Sequence, residues 1–398
     1  MDSAVDYADI AIPDLQDIFS AADSTGASEP DAKRLKTNEA SRAPTSSAQD
    51  EERKKQERER NRMHARNTRA RKKAYADELT AKLAALTKEK EEHEKAEAEA
   101  SKARTVQQSA WAATLRQAMD LRAAGCLDEA QWSKILAEDF KMTMPVTPYR
   151  SFSPSDVVNN RRVLLGVDGM VADTASLQVM LDNIGTKTRK NEGRVRVEYL
   201  LGSDAAENCF FGAAGLMCTF MMRTLDAKAH GAACECEKSG ILRARFDDAG
   251  CIEELEMAFD GIAMYHQLMR AKGQGDFPLV PNTLNAVLKN DKDHIVVTTA
   301  QRPFRITHVN GAWTQLCGFE LDECKGKNLS ILQGPETDMD TVTELVDISQ
   351  RGYPASMVVT NYDKSGRPFR NHLRCYPISS DDSGEISHIV GYLDEIEV

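Results

Sequence analysis

Residues 51–102 contain neither proline nor glycine and are dominated by Ala, Glu, Lys, Arg and Leu. These are strong helix formers, and the two residues that interrupt helices are missing. The stretch therefore predicts one long helix. A pattern of this length without internal caps points to a coiled coil rather than to a helix of a globular core. Its first part is strongly basic. Residues 53–73 hold eleven Lys or Arg against two Glu, nine net positive charges in a chain whose total is −11. A sharp positive block on an acidic protein is the electrostatic footprint of polyanion binding. The blander readings, a solvated charged helix or a targeting tract, do not account for the position-specific spacing inside the block.

A length of 398 residues suits two or three domains, and 41% hydrophobic content suits real cores. No run of 18 apolar residues occurs, so no membrane span is expected. The acidic N-terminus lacks the positive region of a secretory signal. The nine cysteines then read as reduced thiols in a nuclear or cytosolic setting.

Residues 1–50 read as a disordered acidic and polar tail. In it, Tyr7, Ile10, Ile12, Leu15, Ile18 and Phe19 lie among acidic residues, as in acidic partner-binding segments. Lys33, Arg34 and Lys36 form a short basic cluster of the kind that serves nuclear import. Residues 51–73 are the basic region and 74–104 a short leucine-spaced segment. A helical connector is expected over 105–148. Trp111, Leu115 and Met119 follow helical spacing, Gly125 stops that helix, and Asp128 caps another running through Trp132, Ile135, Leu136 and Phe140. Residues 149–275 read as an α+β domain with helices over 173–184 and 261–272. Its strands are expected over 194–200, 215–224, 232–238, 241–246 and 252–259. Residues 281–398 predict the order β-β-α-α-α-β-β-β, with turns at 363–366 and 381–384. That order builds an antiparallel five-stranded sheet with helices on one face.

Seven residues separate Asn61 from Arg69 and nine separate Arg69 from Leu79, with Ala65 and Thr68 between. Asn61, Ala65, Thr68 and Arg69 project from one helical face within about two turns. The pattern resembles the basic leucine zipper (bZIP) family. The resemblance implies a dimer on double-stranded DNA, with Asn61, His64, Ala65, Thr68 and Arg69 reading base edges in the major groove. Arg58, Arg60, Arg62, Arg66, Arg71, Lys72 and Lys73 would contact phosphates. The run from Asn61 to Arg69 is similar to algal aureochrome-type factors, which implies a TGACGT-like site. Behind it only Leu79, Leu83 and Leu86 make an apolar seam, and later core positions carry Lys90, His93 and Glu97. Dimerisation, with itself or another zipper chain, is therefore expected to be weak alone and strengthened by DNA or by the C-terminal domains.

Near the C-terminus, Asn310, Gly318-Phe319, Gly326-Lys327-Asn328, Gln333-Gly334-Pro335, Asn361 and Asn371 resemble a PAS domain of the LOV type. The resemblance implies a flavin pocket in which Gln333, Asn361 and Asn371 face the ring. It also implies a cysteine that forms a light-driven adduct, within a run N-C-R-F-L-Q. Here Leu329 stands at the cysteine position, Ser330 at the phosphate-binding arginine and Leu393 at the flavin-sensing glutamine. A leucine cannot attack a flavin. The expectation is a PAS domain without that photochemistry and without a resident cofactor, flavin being the alternative. Cys317 reads as a small core residue.

The middle domain loosely resembles a SnoaL-like cone. Tyr199, His230 and Asp260 are its acid/base candidates, and His230, Cys234 and Cys236 hint at zinc but lack a second ligand element. A scaffold role is the stronger reading, with Cys234 and Cys236 on one strand face. The chain is thus read as a multidomain, nuclear, dimeric, sequence-specific DNA-binding regulator, not an enzyme. The alternatives are a flavin- or ligand-dependent redox or light switch acting on DNA, and an enzyme tethered to DNA through its middle domain.

Overall fold

The computed structural model describes residues 47–151, 154–188, 191–205, 208–273, 277–281, 283–379 and 385–396. The acidic segment from Tyr7 to Phe19, the cluster at Lys33, Arg34 and Lys36, and the turn at 381–384 lie outside the described residues. The chain divides into two compact units at Glu92/His93. No described helix is long and apolar enough to cross a membrane.

The first unit holds the start of helix α1, Ser47–Ala124. Its residues from Gln49 to Glu92 are exposed. Charge supports the helix locally: Glu78 and Lys82 pair at 2.8 Å, one turn apart. Thr68, Thr80 and Thr87 turn their hydroxyls back to the carbonyls of His64, Ala76 and Leu83 at 2.8–2.9 Å.

In the second unit the end of α1 enters a core. Trp111, Leu115, Ala118 and Met119 are buried there, and Trp111 stacks on Phe246 with centroids 5.3 Å apart. After a one-turn helix, Glu129–Trp132, comes strand β1, Leu136–Met144. The helical connector expected over 105–148 is therefore corrected. Ile135, Leu136 and Phe140 fit a helical spacing by coincidence. The alternation of Phe140, Met142 and Met144, all buried, has period two and places them on one sheet face. β1 is held by long-range pairing, antiparallel to β2 (Arg162–Leu165) and parallel to β7 (Ile252–Phe259).

The middle sheet has seven strands. Its order is β2-β1-β7-β6-β5-β3, with β3 Val197–Leu201, β5 Gly215–Thr224 and β6 Glu237–Phe246, and β4 (Cys209–Phe211) also pairs with β5. The two strands expected over 232–238 and 241–246 are one strand starting at Glu237. Gly240 is not a break. It admits the close approach of Ala258 and Phe220, since a Cβ there would meet Ala258 O at 2.0 Å. Cys234 and Cys236 precede the strand rather than sharing its face.

Helix α2, Gly166–Ile184, begins earlier than the expected 173–184. Every residue from Met170 to Ile184 is buried. A helix apolar on one side only would leave a face to water, so burial all round requires a layer on each side. One side packs on β1 and β2, and the other meets the C-terminal sheet. Val179 joins a cluster with Ile295, Val297, Tyr376, Ile378, Val390 and Tyr392. Asn183 donates to Tyr376 Oη at 3.1 Å and accepts from Arg374 Nη1 at 3.0 Å.

The C-terminal sheet is five-stranded and antiparallel throughout, in the order β10-β11-β12-β8-β9. These strands are β8 His294–Thr299, β9 Ile306–Val309, β10 Ala355–Tyr362, β11 Pro368–Ser379 and β12 Ile386–Glu395. The β10–β11 turn is built by Asp363, whose Oδ1 accepts from Ser365 N at 2.8 Å and Arg367 N at 3.0 Å, while Gly366 supplies φ +87°. The Ser365 hydroxyl, which donates to Asp363 Oδ1 at 2.6 Å, does most to hold the Asp363 carboxyl down at about 2, with the Arg367 guanidinium and the two backbone bonds adding to it.

Replacing Asn183 by Ala leaves the buried Arg374 and Tyr376 groups short of a partner. The expected loss in denaturant unfolding of the full chain is about 1–3 kcal/mol. A change within a few tenths would show that Asn183 does not join the two sheets.

Candidate functional site

Two places collect the residues singled out by the sequence. The first is inside the C-terminal sheet. Asn328 caps a 3-10 turn, Leu329–Leu332, by accepting from Ser330 N at 3.2 Å. That turn faces β10, β11 and β12 across a cavity of about 170 Å³. Gln333, Asn361 and Asn371 all line it, so the three expected pocket amides are brought together. Leu329, Leu332, Val359, Leu373, Ile389 and Leu393 are among the apolar residues of the remaining wall.

The asparagines are already partnered. Asn371 Nδ2 donates to Asn361 Oδ1 at 2.8 Å, Asn361 Nδ2 donates to Leu332 O at 3.3 Å, and Asp394 N donates to Asn371 Oδ1 at 3.1 Å. Each amide thus spends one donor and one acceptor within the protein and keeps a second of each. Ser330 turns its hydroxyl onto Asn328 Oδ1. The lining offers amide edges to a largely apolar guest. Positions 329 and 393 present only carbon and position 330 presents no cation, so no thiol adduct can form from position 329.

A thiol does reach the cavity, where the sequence reading did not look. Cys375 lines the wall, and burial pushes its pKa up to about 12. The signal was available: on β11, Asn371, Leu373 and Cys375 alternate onto one face. Cys317 is fully buried in the core, as expected, and burial raises it likewise to about 12.

The second place is the exposed face of α1. Asn61, His64, Ala65, Thr68 and Arg69 are all exposed there, as are Arg58, Arg60, Arg62, Arg66, Arg71, Lys72 and Lys73. At about 100° per residue, Asn61, Ala65, Thr68 and Arg69 span an arc of about 100°. Leu79, Leu83 and Leu86 span about 60°. Asn61 and Leu79 lie about five whole turns apart, on the same side. The leucines are 45%, 54% and 62% exposed, an apolar seam with no cover among the described residues.

The acid/base candidates of the middle domain have separate partners on separate elements. Tyr199 accepts from Arg122 Nε at 3.2 Å in the core. Asp260 caps a helix, Gly261–Lys272, through Ile262 N and Ala263 N. His230 sits by Asp226 at 3.9 Å. Among the described residues no three metal-binding side chains converge.

The PAS domain family profile matches residues 292–397. A blue-light-activated histidine kinase of Brucella anthropi is 33% identical over 110 residues, covering 27% of this chain and 22% of the kinase. Phototropin-2 of Oryza sativa subsp. japonica is 32% identical over 120 residues, covering 30% of this chain and 13% of phototropin. The bacterioopsin transcriptional activator of Halobacterium salinarum is 33% identical over 87 residues, covering 22% and 13%. The chain therefore spans less than a quarter of the length of each of these relatives. Among solved structures, the dark state of the blue-light photoreceptor Aureochrome1 LOV is 26% identical, covers 30% of this chain and 86% of its own, and has a TM-score of 0.27.

Cys375 is expected to resist iodoacetamide at pH 8 in the native chain and to react once the chain is denatured, read by peptide mass spectrometry. Equal labelling in both states would place the thiol in contact with solvent.

Proposed function

We propose that this chain, with its PAS/LOV domain over residues 292–397, is a dimeric, sequence-specific DNA-binding transcription regulator of the bZIP kind, acting in the nucleus. The observation that carries the reading is the exposed strip Asn61, Ala65, Thr68 and Arg69 on a helix with nine net positive charges, in line with the seam at Leu79. Asn61 offers a donor and an acceptor to base edges, and Arg69 a fork for guanine or phosphate. The Thr68 hydroxyl donates its proton to His64 O, and the methyls of Thr68 and Ala65 are a pair suited to the thymine methyl. The flanking arginines and lysines neutralise phosphates without reading sequence. A second chain covers Leu79, Leu83 and Leu86. The similarity of the PAS segment to one in a protein named as a transcriptional activator agrees with this role.

The PAS domain acts in this reading as a sensor or dimerisation module that makes no cysteinyl adduct, since Leu329 has no nucleophile. Its cavity takes at most a non-covalent guest, held at Gln333, Asn361 and Asn371.

Replacing Asn61 and Arg69 together by Ala should abolish discrimination between the selected site and scrambled duplex in a gel-shift titration. Residual binding should remain and weaken steeply with salt, by about a thousandfold or more between 50 and 200 mM for six or more phosphate contacts. A double variant that still prefers its site sinks the bZIP reading. Incubating the full chain with flavin mononucleotide and illuminating it with blue light should give no protein–flavin adduct by intact mass. An adduct would overturn the assignment of the PAS domain as photochemically silent.

A further inference from the structure

The middle domain buries charge that neither the DNA-facing helix nor the PAS cavity uses. Arg122, near the end of α1, is completely buried. Its Nη2 pairs with Asp173 Oδ2 on α2 at 2.6 Å, and its Nε and Nη2 reach the hydroxyls of Tyr199 and Tyr149 at 3.2 and 3.4 Å. Its Nη1 has no partner among the described residues. Asp173 Oδ1 and Arg150 Nη1 stand 3.7 Å apart, too far for a hydrogen bond, and both are buried and unbonded. Lys238 on β6 is 4% exposed, and its Nζ also lacks a hydrogen-bond partner. It lies 4.1 Å from the centroid of Phe259 and 6.0 Å from that of Phe220.

The charges of this cluster do not balance. Arg122, Arg150, Arg162 and Lys238 face one fully buried carboxylate, Asp173, with Asp156 within electrostatic reach of Arg162. Burial alone would raise the Asp173 pKa, yet Arg122, Arg150 and Arg162 together hold it below the usual carboxylate range. Burial and then Arg122 lower Lys238 to about 7, with Asp173 only partly opposing them. Buried polar atoms are almost always bonded in native proteins, and unpaired buried cations are costly. Since Asp173 Oδ1 and Arg150 Nη1 face each other as an ion pair, Arg122 Nη1 and Lys238 Nζ are the two buried donors of the cluster without an acceptor among the described residues. Arg162, by contrast, is satisfied by Ser151 O at 2.6 Å and Arg150 O at 3.4 Å, and so serves as wall.

We propose that the interior of the middle domain is a binding site for a small organic carboxylate. Arg122 Nη1 and Lys238 Nζ receive the carboxylate, the rings of Phe220 and Phe259 flank its apolar body, and Arg150, with 28% of its side chain exposed, stands at the outer side. This proposal does not rest on DNA binding or on the PAS cavity.

The test is a thermal-shift titration of the full chain with sodium benzoate, sodium acetate and sodium phosphate at matched ionic strength, with benzamide as the uncharged counterpart of benzoate. Benzoate should raise the melting temperature saturably, acetate should do so more weakly, and benzamide should not. Lys238→Met should fold, because it removes an unpaired buried cation, and should weaken the benzoate response about tenfold or more. Arg150→Gln, at the partly exposed edge, should weaken it in the same sense and serves if Lys238→Met does not fold. Equal shifts with benzoate and benzamide, a shift with phosphate alone, or no shift at all overturns the proposal. In the last case the cluster holds buried water only.

Discussion

Helix α2 is the constraint on which the second unit depends. It carries few charges and is buried from Met170 to Ile184, so it is stable only with a layer on either side. The middle sheet supplies one and the PAS sheet the other. Asp173 points into the first core, where it holds Arg122. Val179 and Asn183 point into the second, where they meet Tyr376 and Arg374. One short helix thereby joins two domains that a sequence profile separates. The end of α1 depends on it too, because Arg122 is buried against Asp173.

Three candidate surfaces of the chain differ in physical character. The basic helix face is exposed and strongly charged, a character that suits long-range attraction to the polyanion proposed for it. The PAS cavity is mostly apolar, and its two asparagines are hydrogen-bonded within the protein. The middle-domain cluster is buried and charged, where a pairing interaction is least screened by water. Burial also keeps the thiols quiet. Cys236, Cys317 and Cys375 are each driven to about 12 by loss of solvent, so the cysteines nearest the cores are poor nucleophiles.

Much of the fold was legible in the residues, and the reasons are local. Gly215–Thr224 alternates cleanly between faces, Ile252–Phe259 does so from Leu255 onward, and Asp363 with Gly366 announces its own turn. The long helix was legible from the absence of interrupters. What escaped depends on partners distant in the chain. β1 looked helical because four apolar residues happened to fall at helical steps, and only its pairing with β2 and β7 decides otherwise. β2 and β4, at four and three residues, are too short for a period to register. Gly240 looked like a break because nothing local reveals that Ala258 and Phe220 approach it. In the PAS cavity, Gln333, Asn361 and Asn371 were identified through a resemblance and fall together. Cys375 was passed over although its alternation with Asn371 was visible. The buried charges of the middle domain gave no sequence signal, since Arg122 and Lys238 look like surface residues until their neighbours are known.

The hydrogen bond from Thr68 to the His64 carbonyl has a consequence for hydration. With that proton engaged, the middle of the Asn61–Arg69 strip carries two methyl groups and no free side-chain donor of its own. Water is held firmly at the two ends of the strip and loosely at its centre. A surface pressed against it loses solvent first between Ala65 and Thr68, while Asn61 and Arg69 retain theirs until a polar partner replaces it. The strip is in this sense a dry patch between two wet posts, and its order of drying is fixed by a single backbone carbonyl.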